Sequence, residues 1–241
     1  MVPLVQAALS EDVGPGDATT LALIAPQATS RAEIRSKATG VLAGLPVARE
    51  VFLQVDPGLI FEPDREDGDP LTPGTIVARV HGRTRGILTA ERTALNFLQH
   101  LSGIATATHR LARGLEGTQT HLLDTRKTVP VMRALAKYAV RCGGGENHRR
   151  GLYDMILIKE NHMAAARDFK AAVAGARKAY PELRVEVEVT SLEELDRALD
   201  AKPDRILLDN FDPAKVKQAV TRVDQWAGGA DARRPEIEVS G

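Results

Sequence analysis

The chain has 241 residues, 32 basic against 32 acidic, and 43% apolar and 27% charged residues, the balance of an ordinary soluble globular protein. Zero formal net charge gives no basic surface for nucleic acid, and no apolar run approaches the roughly 18 residues of a membrane span. The single Cys142 excludes an intrachain disulfide and sets a reducing cytoplasm as the expected location; the start MVPLVQAALSED carries acids where a secretory leader needs bases.

The first hundred residues read as a small α+β layer. LSEDVGPGDATT (9–20) is polar and glycine-punctuated, RAEIRSKA (31–38) and TIVARVHG (75–82) are strand candidates, and turns fall at DPG (56–58), DGDP (67–70) and TPG (72–74). From Leu88 the pattern becomes helical, with Ala94, Phe97, Leu98, Leu101, Ile104, Ala105, Leu111 and Leu115 recurring on one face. This places a domain junction near 90–115, giving an N-terminal domain over 1–105 and a second domain over 106–241.

The second domain alternates. HLLDT (121–125), MILIK (155–159), VEVEV (185–189), RILLD (205–209) and IEV (237–239) are predicted strands, separated by stretches with helix signals. Thr128 with Pro130 marks one predicted helix start and Gly143 its end, Ser191 with Glu194 has capping-box spacing, and Asp212 before Pro213 opens another helix. Strand, helix, strand in series predicts a parallel sheet of α/β type.

Polar residues mark one end of that sheet. The strand ends read DTRK, IKEN, EVT, LDN and VSG, and the C-terminal edge of the strands is where (β/α) barrels build active sites. In VEVEV the valines share one face and Glu186 and Glu188 the other. Buried carboxylates there require cations or a metal. GGGENHRRGLYDMILIKENH (143–162) supplies cations: His148, Arg149 and Arg150, then Lys159 after four apolar residues.

Each of these residues also has a plain structural reading. Arg126 and Lys127 suit a solvated turn, Arg149 and Arg150 a solvated loop, Lys159 a structural ion pair, and Asp209 a helix cap. His148 and His162 match no common zinc-ligand spacing, and GGG without a following GK[ST] is a helix end rather than a phosphate loop. What favours function is that several of these features coincide at one sheet edge.

AERTALNFLQHLSGIATAT (90–108), DTRKTVPVMRALAKYAVRCGGGENHRRGLYDMILIKENH (124–162), VEVEVTSLEEL (185–195) and ILLDNF (206–211) resemble the signature blocks of the quinolinate phosphoribosyltransferases, as does the opening LxEDxGxGDxTT pattern. The resemblance implies an incomplete (β/α) barrel of the type II phosphoribosyltransferase kind with an N-terminal α+β sandwich domain. It implies transfer of phosphoribosyl from phosphoribosyl pyrophosphate to quinolinate with decarboxylation, giving nicotinate mononucleotide, pyrophosphate and CO2 in NAD biosynthesis. On this basis Arg126, Arg149, Lys159 and His148 would line the quinolinate pocket with Lys127 beside them, and Arg92 would enter from the partner subunit of a homodimer. Glu188 and Asp209 would face the ribose and its Mg²⁺, with Ser240 and Gly241 also at the substrate and Lys127 or Lys159 assisting decarboxylation.

In the family the strand ending VSGGI continues into a further strand, a glycine-containing phosphate loop and C-terminal helices, whereas this sequence stops at EIEVSG (236–241) and carries an apparent insertion, GGADARRP (228–235). The expectation from that difference is weak turnover. Two other classes stay open: a catalytically weak anion-binding dimer module, and a Schiff-base aldolase using Lys159 at a strand end.

Overall fold

A computed structural model describes residues 1–163, 166, 168–229 and 233–241, so residues 230–232 of the insertion lie outside the described residues. The chain forms two compact units, Met1–His148 and Arg149–Gly241.

The first unit holds helices α1 (Val2–Asp12), α2 (Ala18–Leu23), α3 (Leu45–Val55), α4 (Thr84–Ala112) and α5 (Arg133–Cys142). Strands β1 (Thr29–Arg35), β3 (Ile60–Pro63) and β5 (Ile76–Arg83) form an antiparallel sheet in the order β1-β5-β3, and β2 (Gly40–Val41) pairs with β4 (Pro70–Leu71). Its core draws Val47, Val51 and Phe52 from α3, Val77 and Val80 from β5, and Ala94, Leu98, Leu101 and Ala105 from α4. The helix predicted from Leu88 thus begins at Thr84, and its apolar stripe stops short of Leu111, which is 64% exposed. The polar opening stretch is tied down by α4: Thr93 Oγ1 donates to Asp12 at 3.1 Å, and Thr89 Oγ1 donates to Asp17 at 3.2 Å. Asp17 also caps α2 by accepting from the backbone of Thr20, and the Thr20 hydrogen bonds hold its carboxyl below the usual value.

Two expectations for residues 121–143 need correction. HLLDT (121–125) is not a strand of the parallel sheet: Leu123 makes one isolated parallel bridge to Glu146, with Leu122 and Asp124 bonded to the Glu146 backbone. The segment therefore pairs with the glycine loop within the first unit. The helix predicted from Thr128 instead starts at Arg133, because Val131 sits at φ 60° and breaks the helical path. A β-branched residue in that region costs about 1–3 kcal/mol, a backbone distortion of the kind concentrated at functional loops. Gly143 does end α5, as expected, and its missing side chain matters, since a Cβ there would lie 2.3 Å from the Ala105 carbonyl of α4.

The second unit is a four-stranded parallel sheet, β6 (Ile156–Ile158), β7 (Val185–Val189), β8 (Arg205–Asp209) and β9 (Glu236–Ser240), in the order β6-β7-β8-β9. Helices α6 (Glu160–Met163), α7 (Phe169–Ala179), α8 (Leu192–Asp200) and α9 (Pro213–Ala227) alternate with the strands. The expected α/β architecture is present as an open sheet, with no closed barrel among the described residues. Val185, Val187 and Val189 pack with Ile206 and Leu208 against Val173, Leu195, Leu199, Ala219 and Val223 of the helices. The predicted caps hold: Ser191 accepts from Glu194 N at 3.2 Å while Glu194 accepts from Thr190 N at 2.8 Å, and Asp212 accepts from Lys215 N at 2.8 Å. Leu208→Ala, at a fully buried position, is expected to cost about 2–5 kcal/mol in urea unfolding, whereas Leu111→Ala should stay within about 0.5 kcal/mol.

Candidate active site

Alternation along β7 puts Glu186 and Glu188 on the face opposite the valines, and register brings Leu157, Arg205, Leu207, Glu236 and Glu238 onto that same face. Glu186 is completely buried. At the first residues of β8 and β9, Arg205 donates to Glu236 at 2.7 Å and to Glu238 at 3.0 Å, and Arg184 reaches Glu236 from the other side at 2.8 Å. Burial works against the charge of Arg205, but the hydrogen bond to Glu236 and the fields of Glu186, Glu236 and Glu238 outweigh it, so the guanidinium is held above its ordinary value. For Glu236, burial pushes upward and the bonds from Arg205 and Arg184 prevail, so the carboxyl is held low.

Toward the C-terminal edge the same face changes from structural to accessible chemistry. Lys159, just past β6, makes an ion pair with Glu188, leaving the lysine side chain 43% and the carboxylate 13% exposed. The Lys159 backbone N–H donates to His162 Nδ1 at 2.9 Å, so that histidine serves as a local cap. At the end of β8, Asp209 accepts from Ser240 Oγ at 2.7 Å and from Asn210 Nδ2 at 2.9 Å, while Asn210 N donates to the Ser240 carbonyl at 2.8 Å. Asn210 takes φ 56°, a conformation asparagine tolerates, and a Cβ on Gly241 would come within 3.1 Å of its Cα. Lys159 with Glu188, and Asp209 with Ser240, are thus the pairs of predicted residues this unit brings together. Arg149 donates to the Met155 carbonyl at 3.3 Å, and Asp154 closes the intervening loop by accepting from Arg150 N at 2.7 Å and Gly151 N at 2.9 Å.

In the first unit, Arg126 and Lys127 lie on a tight turn in which Thr128 N donates to the Arg126 carbonyl at 2.9 Å and Lys127 N to Thr125 Oγ1 at 3.0 Å. Arg133, in the first turn of α5, clamps it by donating to Thr128 Oγ1 at 3.2 Å and to the Arg126 carbonyl at 3.3 Å. The Arg126 Nε is buried without a hydrogen-bond partner among the described residues. Such a donor is costly to leave unmatched. His148 is fixed through its backbone, its N–H donating to Asp124 Oδ1 at 2.9 Å. Arg92 stands apart on the exposed face of α4, lining a cavity of about 1020 Å³ with Arg35, Lys37, Leu95 and Arg110.

The sequence reading passed over Asp124, Arg133, Lys137 and Arg205. Arg133, Lys137 and Arg141 recur every fourth residue, the pattern of a solvated helix face, yet Lys137 is buried. Cys142 is not a nucleophile candidate: burial and the Asp67 carboxylate push its thiol up. The neighbouring Tyr138 donates to Asp67 at 2.7 Å, and burial followed by that bond raises its phenol far above the ordinary value.

Residues 17–102 match the N-terminal domain and residues 104–241 the C-terminal domain of quinolinate phosphoribosyl transferase. Among curated relatives, the chain is 44% identical over 225 residues to the nicotinate-nucleotide pyrophosphorylase [carboxylating] of Mycobacterium leprae, covering 91% of this chain and 78% of the relative. It is 42% identical over 208 residues to a probable enzyme of the same name from Bacillus subtilis, covering 86% and 72% respectively. Among solved structures, NadC from Streptococcus pyogenes aligns with a TM-score of 0.92 at 42% identity, covering 99% of this chain and 82% of that one. The nicotinate-nucleotide pyrophosphorylase from Francisella tularensis aligns at 0.92 and 40% identity, covering 100% and 82%.

The depressed Glu236 carboxyl carries a pH dependence. Its contribution to stability is complete above the ordinary value of 4.5 and is lost as pH falls through the lower folded value. Between pH 6 and pH 3 the wild type should therefore lose more stability than Arg205→Gln, read as urea midpoints at each pH, with Arg205→Gln less stable at pH 6.

Proposed function

The chain belongs to the quinolinate phosphoribosyltransferase family, and from that premise we propose that it transfers phosphoribosyl from phosphoribosyl pyrophosphate to quinolinate with loss of CO2, forming nicotinate mononucleotide and pyrophosphate for NAD biosynthesis. The observation that carries the reading to a substrate is the buried, unmatched Nε of Arg126 on the turn that also bears Lys127.

Quinolinate is a flat dianion with carboxylates on adjacent ring carbons, and planar guanidinium forks match planar carboxylates in pairs of hydrogen bonds. On the family resemblance, Arg126, Lys127, His148, Arg149 and Lys159 are proposed as quinolinate contacts. Glu188 and Asp209 are assigned to the phosphoribosyl donor, with Ser240 and Gly241 beside Asp209. As the ribose C1 loses pyrophosphate it takes on oxocarbenium character, which a fixed carboxylate such as Glu188 stabilises without forming a bond. The quinolinate nitrogen then bonds to C1. The alkylated, positive ring nitrogen stabilises the carbanion left when the adjacent carboxylate departs as CO2, and a lysine, Lys127 or Lys159, supplies the proton that replaces it.

Glu188 and Asp209 offer hard carboxylate oxygens, and Asp209 is oriented by Ser240 and Asn210, a donor set that fits Mg²⁺. When bound, the ion would neutralise the departing pyrophosphate.

Arg92, exposed on α4, is assigned to the site of a partner subunit in a homodimer. Among the described residues no helix is long and apolar enough to cross a membrane. The free Cys142 fits a cytoplasmic setting. The aldolase reading is less favoured because the Lys159 Nζ is engaged by Glu188 rather than left open to a carbonyl carbon.

Calorimetric titration with quinolinate should give measurable binding, and Arg126→Ala should weaken it by about 2–4 kcal/mol, since a charged hydrogen-bonded pair is broken. Glu188→Ala should lower kcat at least tenfold while leaving quinolinate affinity within about threefold. Normal quinolinate binding by Arg126→Ala would remove the pocket assignment, and borohydride trapping of Lys159 with a carbonyl substrate would restore the aldolase reading.

A further inference from the structure

Lys137 and Asp124 form an ion pair deep in the first unit, with side-chain exposures of 2% and 7%. Burying two charges has to be balanced by further hydrogen bonds, and here those bonds run to particular places. Asp124 Oδ1 accepts from Lys137 Nζ and, at 2.9 Å, from the His148 backbone N–H, while Asp124 Oδ2 accepts from Asn147 Nδ2 at 2.7 Å. Lys137 Nζ also donates to the His148 carbonyl at 2.8 Å, and Asn147 Nδ2 donates to the Lys137 carbonyl at 2.9 Å. The Asp124 N–H completes the set by donating to the Glu146 carbonyl at 3.1 Å.

Three separate stretches meet at this pair: the segment leading to Arg126 and Lys127, helix α5, and the loop from Gly143 to His148. Asp124 lies two residues before Arg126, and the His148 backbone is gripped through both its N–H and its carbonyl. The two charges cancel, so the pair adds no net charge beside an anion pocket. Its ammonium donates to Asp124 and His148 on a side chain only 2% exposed, which removes Lys137 as a substrate ligand. If the pair only filled space, an apolar pair of similar volume would serve as well or better.

We propose that Asp124 and Lys137 are positioning residues, a buried charge-neutral hub that fixes the backbone of the Arg126–Lys127 turn and of His148 in register, the two segments assigned to quinolinate. The inference rests on the quinolinate assignment made above. It places specificity for the planar dianion partly in residues that never touch it, and it separates their effect from that on phosphoribosyl pyrophosphate, whose assigned residues Glu188 and Asp209 are bonded to Lys159 and to Ser240 and Asn210 rather than to the hub.

The test compares the full chain with Lys137→Met and with the double variant Asp124→Leu/Lys137→Met, which leaves no unpaired buried charge and keeps the fold if the single variant does not. Two readouts are taken on each folded protein. Hydrogen exchange followed by mass spectrometry should show peptides covering 122–128 and 145–148 exchanging at least tenfold faster than in the wild type, with α4 peptides unchanged. Steady-state kinetics should show the KM for quinolinate raised at least tenfold and that for phosphoribosyl pyrophosphate within about twofold. A double variant with wild-type exchange in both peptides, or one whose kcat falls with both KM values unchanged, overturns the proposal, since a merely structural pair would behave that way. If the wild type itself neither binds nor turns over quinolinate, the assigned function fails on its own, and exchange still decides whether the hub holds the two segments.

Discussion

A strand buried on both faces has no neutral place for a charged residue, and β7 carries two. Its valines take the helix-covered face, so Glu186 and Glu188 are committed to the other, and everything on that face answers them. At the N-terminal end the answer is structural: Arg205 spans to Glu236 and Glu238 and adds favourable field at Glu186. Two residues further along, Glu188 meets Lys159, a partner that stays partly open to solvent. One alternating pentapeptide thereby sorts the sheet into a sealed base and a reactive rim, the arrangement on which strand-end chemistry in α/β folds depends.

The first unit reaches a similar end by a different route. The cations assigned to quinolinate there are on irregular chain, which cannot be stiffened by a ladder of backbone bonds, so rigidity is imported from α5. Arg133 grips the Arg126–Thr128 turn and Lys137, one helical turn later, grips Asp124 and His148. Spacing of four residues on a helix puts two cations on the same face, and here that face is turned to loops rather than to solvent.

This contrast explains what could be read from the sequence and what could not. The alternation of VEVEV and the capping spacing at Ser191 and Asp212 are local signals, each governed by residues within one turn or one strand, and each appears in the structure as expected. The misreadings involve non-local partners. HLLDT has the composition of a strand, but its pairing partner is Glu146 in a glycine loop, which no pattern announces. Thr128 and Pro130 have the composition of a helix start, but the backbone at Val131 is turned to φ 60° and delays the helix to Arg133. Lys137 looks like a solvated cation until Asp124 is known to lie against it. Charge signals survive translation into structure when their neutralising partner is nearby in sequence, and are lost when it is supplied by the fold.

Strand β9 has no fully buried residue, in contrast to β7 and β8 beside it. It is held by its backbone pairing to β8 and by the grip of Arg205 on Glu236 and Glu238 rather than by apolar burial. Apolar burial is largely indifferent to ionic strength, whereas attraction to a half-exposed carboxylate such as Glu236 weakens as salt rises. Among the described residues, the contacts that hold β9 are therefore more responsive to electrolyte than those of β7 and β8, and Ser240, the partner that orients Asp209, is carried on that strand.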